Sequence, residues 1–223
     1  AYYSGLVSQI DREVGSIMEA LRRNNLLENT IVIFSSDHGD YLGDHGLTGK
    51  GSFYEAGCRV PMIVSHPGLT VGTCDDLVTL TDVTATILAF ASCQRPDFMD
   101  SVPLPGLGLD GGTQRKFIMS ILNSGWAIFD GEWKLCKYPR GSHLFNVRED
   151  PDELRNRVRE VALRDTYERL DQCLTAKMIE LMYDTFFSQQ IAYPGQGAHS
   201  SSLEFGRGEW QRKYPVPWDS WTQ

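Results

Sequence analysis

Ser36-Asp37-His38-Gly39 stands directly behind an apolar run, Ile31-Val-Ile-Phe34. An aspartate offers a hard carboxylate oxygen and a histidine offers an imidazole nitrogen, both ligands for divalent cations. Within a strand, neighbouring side chains point to opposite faces. At a strand's end the chain leaves pleated geometry, so Asp37 and His38 can both turn toward one ion. Gly39 permits the sharp departure this needs. Thirteen residues after Asp37 comes Lys50, flanked by Gly49 and Gly51, with Asp44-His45-Gly46 between. A loop so rich in glycine can fold back and bring the ammonium to the same pocket. A cation and an ammonium on one small site suit a tetrahedral oxyanion, either sulfate or phosphate. The plainer alternatives are a solvent-exposed turn at Asp37-His38 and a solvated surface lysine at 50. His45 is open between a pocket donor or acid and a loop hydrogen-bonder.

The elements that must carry this loop follow from periodicity. Leu6, Ile10, Val14, Ile17 and Leu21 recur at steps of four, four, three and four. That is one apolar face of a helix running from about Tyr2 to Arg23. Thr30–Ser35 lacks polar alternation and reads as a strand covered on both faces, as in a parallel sheet flanked by helices. In such sheets ligands bind beyond the carboxyl ends of the strands, where the Asp37-His38 loop begins. Arg59–Ser65 reads as a second strand. Thr81 or Asp82 can cap a helix through about Ala91, with Val83, Ile87, Leu88 and Phe90 inward.

From Arg95 to Gly112 the chain is rich in Pro and Gly, and a subdomain boundary is expected in that stretch. Short strands are expected over 116–122, 126–130 and 133–138, with a hairpin turn at Asp130-Gly131. A helix, broken once, is expected from about Pro151 to Phe186, with Val161, Leu163, Leu170, Leu174, Met178 and Leu181 inward. The chain thus divides into an α/β part (1–112), a small α+β subdomain (113–187) and an aromatic, Pro-rich tail (188–223). The tail carries Tyr193, Trp210, Tyr214, Trp218 and Trp221. It reads either as a strap over its own domain or as an arm that packs on a second copy of the chain.

Composition removes several function classes. The 223 residues hold 21 Lys+Arg against 29 Asp+Glu, a formal charge of −8. A protein that grips a phosphate backbone needs the opposite sign, so no nucleic-acid partner is expected. No apolar run approaches the ~20 residues of a membrane helix, and no membrane span is expected. The five cysteines contain no C-x-x-C, which excludes a zinc ribbon or a thioredoxin motif. They read as scattered buried thiols of a reducing compartment, a weak pointer to the cytoplasm. Ala1-Tyr2-Tyr3 opens inside the expected first helix, which suggests that further sequence precedes it in the natural protein.

Ser35-Ser-Asp-His-Gly-Asp-Tyr-Leu-Gly-Asp-His-Gly-Leu-Thr-Gly-Lys50, then Tyr54-Glu55 and Arg59-Val-Pro-Met-Ile-Val, resembles the C-terminal half of the catalytic domain of the sulfatase family, in the alkaline-phosphatase superfamily. Asp130-Gly-Glu-Trp-Lys-Leu and Leu144-Phe-Asn-Val-Arg-Glu-Asp-Pro-Asp-Glu-Leu-Arg-Asn156 resemble that family's C-terminal strands and closing motif. The similarity covers about residues 2–160. It implies an alkaline-phosphatase-like fold: part of a mixed, mostly parallel sheet flanked by helices, followed by a small antiparallel sheet with a helix. It implies that Asp37 and His38 are metal ligands and that Lys50 contacts the sulfate or phosphate group. Beside these, His45 stays a candidate catalytic group on its residue type and place in the loop alone. The metal it implies is calcium, with manganese or zinc more typical of phosphonate and phosphodiester relatives.

The activity the resemblance implies is hydrolysis of small sulfate esters. The alternatives are hydrolysis of phosphonate monoesters or phosphodiesters, or metal and anion binding without catalysis. The family's nucleophile comes from C/S-x-P-x-R, which is absent from these 223 residues: Cys58-Arg-Val-Pro places Pro one position late, and Ser65-His-Pro-Gly-Leu has Leu in place of Arg. The chain is therefore expected to hold only part of an active site, as the C-terminal portion of a larger enzyme, and to be inactive alone.

Overall fold

In the computed structural model, residues 2–96, 99–109, 115–122 and 124–192 are described. Helix α1 (Tyr2–Arg23) has the length its periodicity predicts, and Arg22 and Arg23 close its last turn, where cations oppose the helix dipole. Its apolar stripe is present but open: no α1 residue is buried, and Leu6, Ile10 and Ile17 are more than half exposed.

Strand β1 (Val32–Ser35) pairs with β2 (Met62–Ser65), with Val32 opposite Ser65 and Ser35 opposite Met62. The pairing is antiparallel, and all four β1 residues are only half-buried. The expected mostly parallel sheet, with β1 covered on both faces, is thus not what the described strands form. An apolar run of four residues has no period that reveals strand direction. Direction is set by the connection. Residues 36–61 double back through the four-residue helix α2 (Glu55–Cys58) rather than crossing over in a long helix, so β2 returns alongside β1.

Helix α3 (Thr81–Phe90) occupies the expected span but turns a different side inward. Its buried residues are Asp82, Ala85 and Thr86, and Ile87 is 55% exposed. The polar pair faces inward because it satisfies backbone groups of the neighbouring loops. Asp82 accepts the N–H groups of Thr79 and Val102 and pairs with the Arg115 guanidinium, while Thr86 Oγ1 accepts the N–H of Leu104. Neither Thr81 nor Asp82 is the cap itself. That position is Leu80, and Asp82 reaches back to Thr79 from the first turn.

Strands β3 (Ile118–Leu122), β4 (Gly125–Phe129), β5 (Trp133–Tyr138) and β6 (Gly141–Asn146) form an antiparallel meander in chain order. The hairpin at Asp130-Gly131 is present, with Gly131 at φ +96 and Asp130 Oδ1 accepting the N–H groups of Glu132 and Trp133. β6 goes beyond the three strands expected from the sequence. Strand alternation sends Ile128, Leu135 and Leu144 to one face, against Leu170 and Leu174 of α4 (Arg164–Ala192). Ala127 and Cys136 point to the other face, against Phe53. The sheet therefore has a helix on one side and the loop carrying the candidate site on the other.

The segment from Pro151 is a tight turn rather than helix. The Asp150 carboxylate accepts the N–H groups of Leu154 and Arg155, and α4 begins only after a 3-10 turn over Val161–Leu163. Val161, expected inward, is 87% exposed. The helix runs on through the expected end at Phe186 to Ala192. Among the described residues no helix is long and apolar enough to cross a membrane. All five cysteines are free; Cys58, Cys74 and Cys93 are exposed and only Cys136 is fully buried. Positions 97–98 and 110–112 of the stretch expected to hold the boundary, and the tail residues from Tyr193 to Trp221, lie outside the described residues.

Candidate metal centre

Residues 36–57 form a folded loop that closes on the buried ring of Tyr41. Tyr41 is 2% exposed, and its hydroxyl accepts the Ser52 N–H at 2.6 Å and shares a 2.7 Å hydrogen bond with Ser52 Oγ. Its N–H donates to the Gly49 carbonyl at 2.9 Å. Asp40 Oδ1 accepts the N–H groups of Leu42 and Gly49. These bonds fold the chain back on itself, as the glycine spacing predicts, and place Gly49-Lys50-Gly51 on the returning limb. Tyr41 and Asp40 escaped the sequence reading because a tyrosine between glycines has no period to mark it as core.

At the start of this loop Asp37 and His38 converge. Asp37 Oδ2 lies 3.4 Å from His38 Nε2. The other ring nitrogen, Nδ1, is 2.8 Å from the Gly39 carbonyl oxygen. A carbonyl can only accept, so Nδ1 carries the proton, and a neutral ring then presents a bare Nε2. Two electron-pair atoms thus face one point, with the Asp37 side chain 83% exposed to incoming groups. Two ligands at right angles on a cation with bonds near 2.4 Å stand about 3.4 Å apart, and a tetrahedral ion with bonds near 2.1 Å gives about the same spacing. The donor pair therefore fits a divalent cation, and its spacing admits calcium, manganese or zinc. Among the described residues no group of three or more His, Cys, Asp or Glu forms a metal cluster, so this pair alone could offer at most part of a coordination shell.

Gly39 is required at its position. Its N–H donates to the Gly57 carbonyl at 3.0 Å, and a Cβ placed on it would stand 1.9 Å from the Ala56 carbonyl oxygen. Helix α2 is therefore pressed directly against the back of the Asp37-His38 pair.

Lys50 is exposed and makes no hydrogen bond or ion pair among the described residues. Its ammonium is available to an anion. His45 adopts φ +54 and stacks its ring on Tyr54, with centroids 3.7 Å apart and planes 7° from parallel. Tyr54 in turn meets Tyr41 edge-on and lies tilted against Phe145 of β6. His45 is thus held as a loop ring with its outer face open. Asp37 and His38 are brought together; no direct contact joins Lys50 or His45 to them.

A second polar centre lies behind the loop, and sequence reasoning assigned it no role. Lys134 Nζ on β5 contacts Glu55 Oε1, Glu153 Oε1 and the Phe53 carbonyl. Burial works against this ammonium, but the Glu153 and Glu55 carboxylates outweigh it and hold Lys134 above the ordinary lysine value. Burial pushes the Glu153 carboxyl up, against the pull of Lys134. The available signal was a lysine inside the strand Trp133-Lys-Leu-Cys136, in phase with buried Cys136. That thiol is itself pushed by burial up to about 12 and stays protonated.

Comparison with known proteins bears on both regions. Residues 1–92 match the family model described as Sulfatase. The chain is 30% identical over 190 residues to an arylsulfatase of Clostridium perfringens, an alignment covering 80% of this chain and 40% of that protein. The fold is similar to that of a protein solved in complex with its substrate D-glucosamine-2-N,6-O-disulfate, with TM-score 0.70 and 21% identity, over 80% of this chain and 40% of the other. It is also similar to a phosphonate monoester hydrolase of Silicibacter pomeroyi, with TM-score 0.71 and 21% identity, over 79% and 40% of the two chains. The chain thus spans about two fifths of the length of these relatives.

Proposed function

We propose that this chain, which belongs to the sulfatase family of the alkaline-phosphatase superfamily, carries part of the active site of a metal-dependent sulfate-ester hydrolase. The observation that supports it most directly is the convergence of Asp37 Oδ2 and His38 Nε2 at 3.4 Å. Asp37 and His38 would hold a divalent cation, calcium in the first instance. Bound there, such an ion supplies positive charge to an ester oxygen. Lys50, on the limb that folds back, adds fixed positive charge where the leaving oxygen becomes negative, a contact worth about 3 kcal/mol in a transition state. His45, stacked on Tyr54, borders the loop and steadies the limb between Asp44 and Lys50. Residues 1–112 form the part of the catalytic domain that bears this loop, and 113–187 form a subdomain that backs it. The substrate is a small sulfate ester.

The second reading, a phosphonate monoester or phosphodiester hydrolase, draws on the fold likeness to the Silicibacter enzyme and on the nitrogen ligand at His38. It uses the same groups. Parallel assays on an aryl sulfate and an aryl phosphonate, in a chain that also carries the C/S-x-P-x-R segment, separate the two.

The test on the 223 residues themselves is Mn2+ binding, followed by the broadening of NMR signals. Asp37 and His38 signals should broaden selectively, and Asp37→Asn or His38→Ala should abolish the effect. Equal broadening in both variants would remove the pair as ligands.

A further inference from the structure

The buried charges around Lys134 connect to the Asp37-His38 pair through an unbroken series of direct contacts. Lys134 Nζ lies 2.6 Å from Glu55 Oε1, 2.7 Å from Glu153 Oε1 and 2.8 Å from the Phe53 carbonyl oxygen. The Lys134 and Glu153 side chains are 5% and 1% exposed. Glu153 Oε2 accepts the N–H of Glu55, the first residue of α2, at 2.6 Å. The far end of α2 presents the Gly57 carbonyl to the Gly39 N–H at 3.0 Å, with the Ala56 carbonyl wedged against Gly39. The Gly39 carbonyl then accepts the proton of His38 Nδ1.

Stability alone is a poor reason for such a cluster. A buried ion group gains little net free energy over apolar residues of the same volume. Glu153 also holds φ +52, a conformation that costs a non-glycine residue roughly 1–3 kcal/mol and tends to persist where function requires it. Three charge-assisted contacts on one ammonium do what apolar packing does poorly: they fix a short helix in direction as well as in depth. The turn that presents Glu153 is itself pinned, since Asn146 Oδ1 accepts the N–H groups of Arg148 and Glu149 and Asp150 accepts those of Leu154 and Arg155.

We infer that Lys134, Glu55 and Glu153 are positioning residues: through α2 they hold the His38 ring with Nδ1 on the Gly39 carbonyl and Nε2 turned to Asp37. The C-terminal sheet is then part of the device that presents the ligand pair, an inference whose relevance to catalysis rests on the metal reading above but whose geometry can be tested without metal.

The test uses the full 223-residue chain, isotope-labelled in nitrogen, with the two ring nitrogens of His38 followed by NMR at a pH where imidazole is neutral. The unsubstituted protein should give one protonated and one bare nitrogen signal, well separated. Glu153→Ala removes the acceptor for the Glu55 N–H, and the separation should fall by more than half as the tautomers average. Glu153→Gln keeps an acceptor and should retain most of it. Should Glu153→Ala not fold, Glu153→Asp, too short to span both partners, should shift the signals in the same direction by less. A merely structural role lowers the unfolding midpoint and leaves the His38 signals of the folded protein unchanged, which overturns the inference. An averaged tautomer in the unsubstituted protein overturns it too. Added Mn2+ that fails to broaden a well-ordered His38 would remove the metal reading while leaving the positioning supported.

Discussion

Lys134→Met removes one ammonium and keeps the length of its stem. The Glu55 and Glu153 carboxylates and the Phe53 carbonyl then lose their shared cation. With Lys134 5% and Glu153 1% exposed, water cannot reach in to replace it. Breaking a buried pair from one side costs about 3–5 kcal/mol, a large part of the roughly 5–15 kcal/mol that holds a domain. With a urea slope of about 2 kcal/mol per molar, the unfolding midpoint should fall by about 1.5–2.5 M. The pH dependence provides a signature. The folded Lys134 value lies above its ordinary 10.5, so its contribution is fully present below 10.5 and is lost only as pH rises through the folded value, in the alkaline range. Glu153 is already pushed up by burial, and without the opposing ammonium it rises further. A carboxyl raised on folding destabilises the folded state as pH climbs from its ordinary 4.5 through the raised value. The deficit of the variant should therefore be small in weak acid and largest in mild alkali. Urea melts of both proteins at the two extremes, read by tryptophan fluorescence, measure it. A deficit under about 1 kcal/mol, the size of a surface pair, or one independent of pH, refutes the buried-cluster reasoning.

Asp82→Asn should cost about 3 kcal/mol, because Arg115 and two backbone N–H groups lose their anion. Burial opposes the Asp82 charge, but these partners hold the carboxyl below its ordinary 3.8, so its contribution is present above 3.8 and is lost as pH falls through the folded value; the variant's acid transition should be flatter, as circular dichroism can follow. Gly39→Ala drives a Cβ into the Ala56 carbonyl and should lower stability by about 1–3 kcal/mol while weakening Mn2+ binding measured by titration calorimetry. Leu174→Ala, at 0% exposure between α4 and the sheet, should cost about 2–5 kcal/mol in thermal melts. Ile17→Ala on the open stripe of α1 should stay within about 0.5 kcal/mol in the same experiment.

What could be read from the sequence divides along a physical line. α1, the Asp130-Gly131 hairpin and the inward Leu170 and Leu174 were readable because each is encoded within a few residues, by period or by turn chemistry. The convergence of Asp37 with His38 was readable for the same reason: adjacent residues need only a local departure from pleated geometry. The direction of β2 was not, since four apolar residues fit either pairing and the outcome depends on the path of the loop between. The inward face of α3 misled because hydrophobicity ranks Ile87 above Asp82, while the burial of Asp82 depends on Arg115, 33 residues away. The apolar spacing that marks the last helix begins only at Val161; the stretch from Pro151 before it is a turn, where the Asp150 side chain captures two N–H groups.

The Lys134 cluster extends that line to the site itself. Its members come from three places, 55, 134 and 153, and no one of them announces the others, since each alone is an ordinary surface residue type. Their burial follows from one arrangement: the sheet has α4 on one face, and its other face, which an antiparallel sheet could leave to solvent, is covered by the limb of the site loop around Phe53. A lysine placed in phase with Cys136 on that second face has to meet whatever the loop brings. The loop brings the Phe53 carbonyl and Glu55, with Glu153 closing the shell from the turn after β6. The sheet thus reaches the Asp37-His38 pair through the backbone of α2, and a change at position 134 or 153 should be felt at His38 although neither side chain touches it.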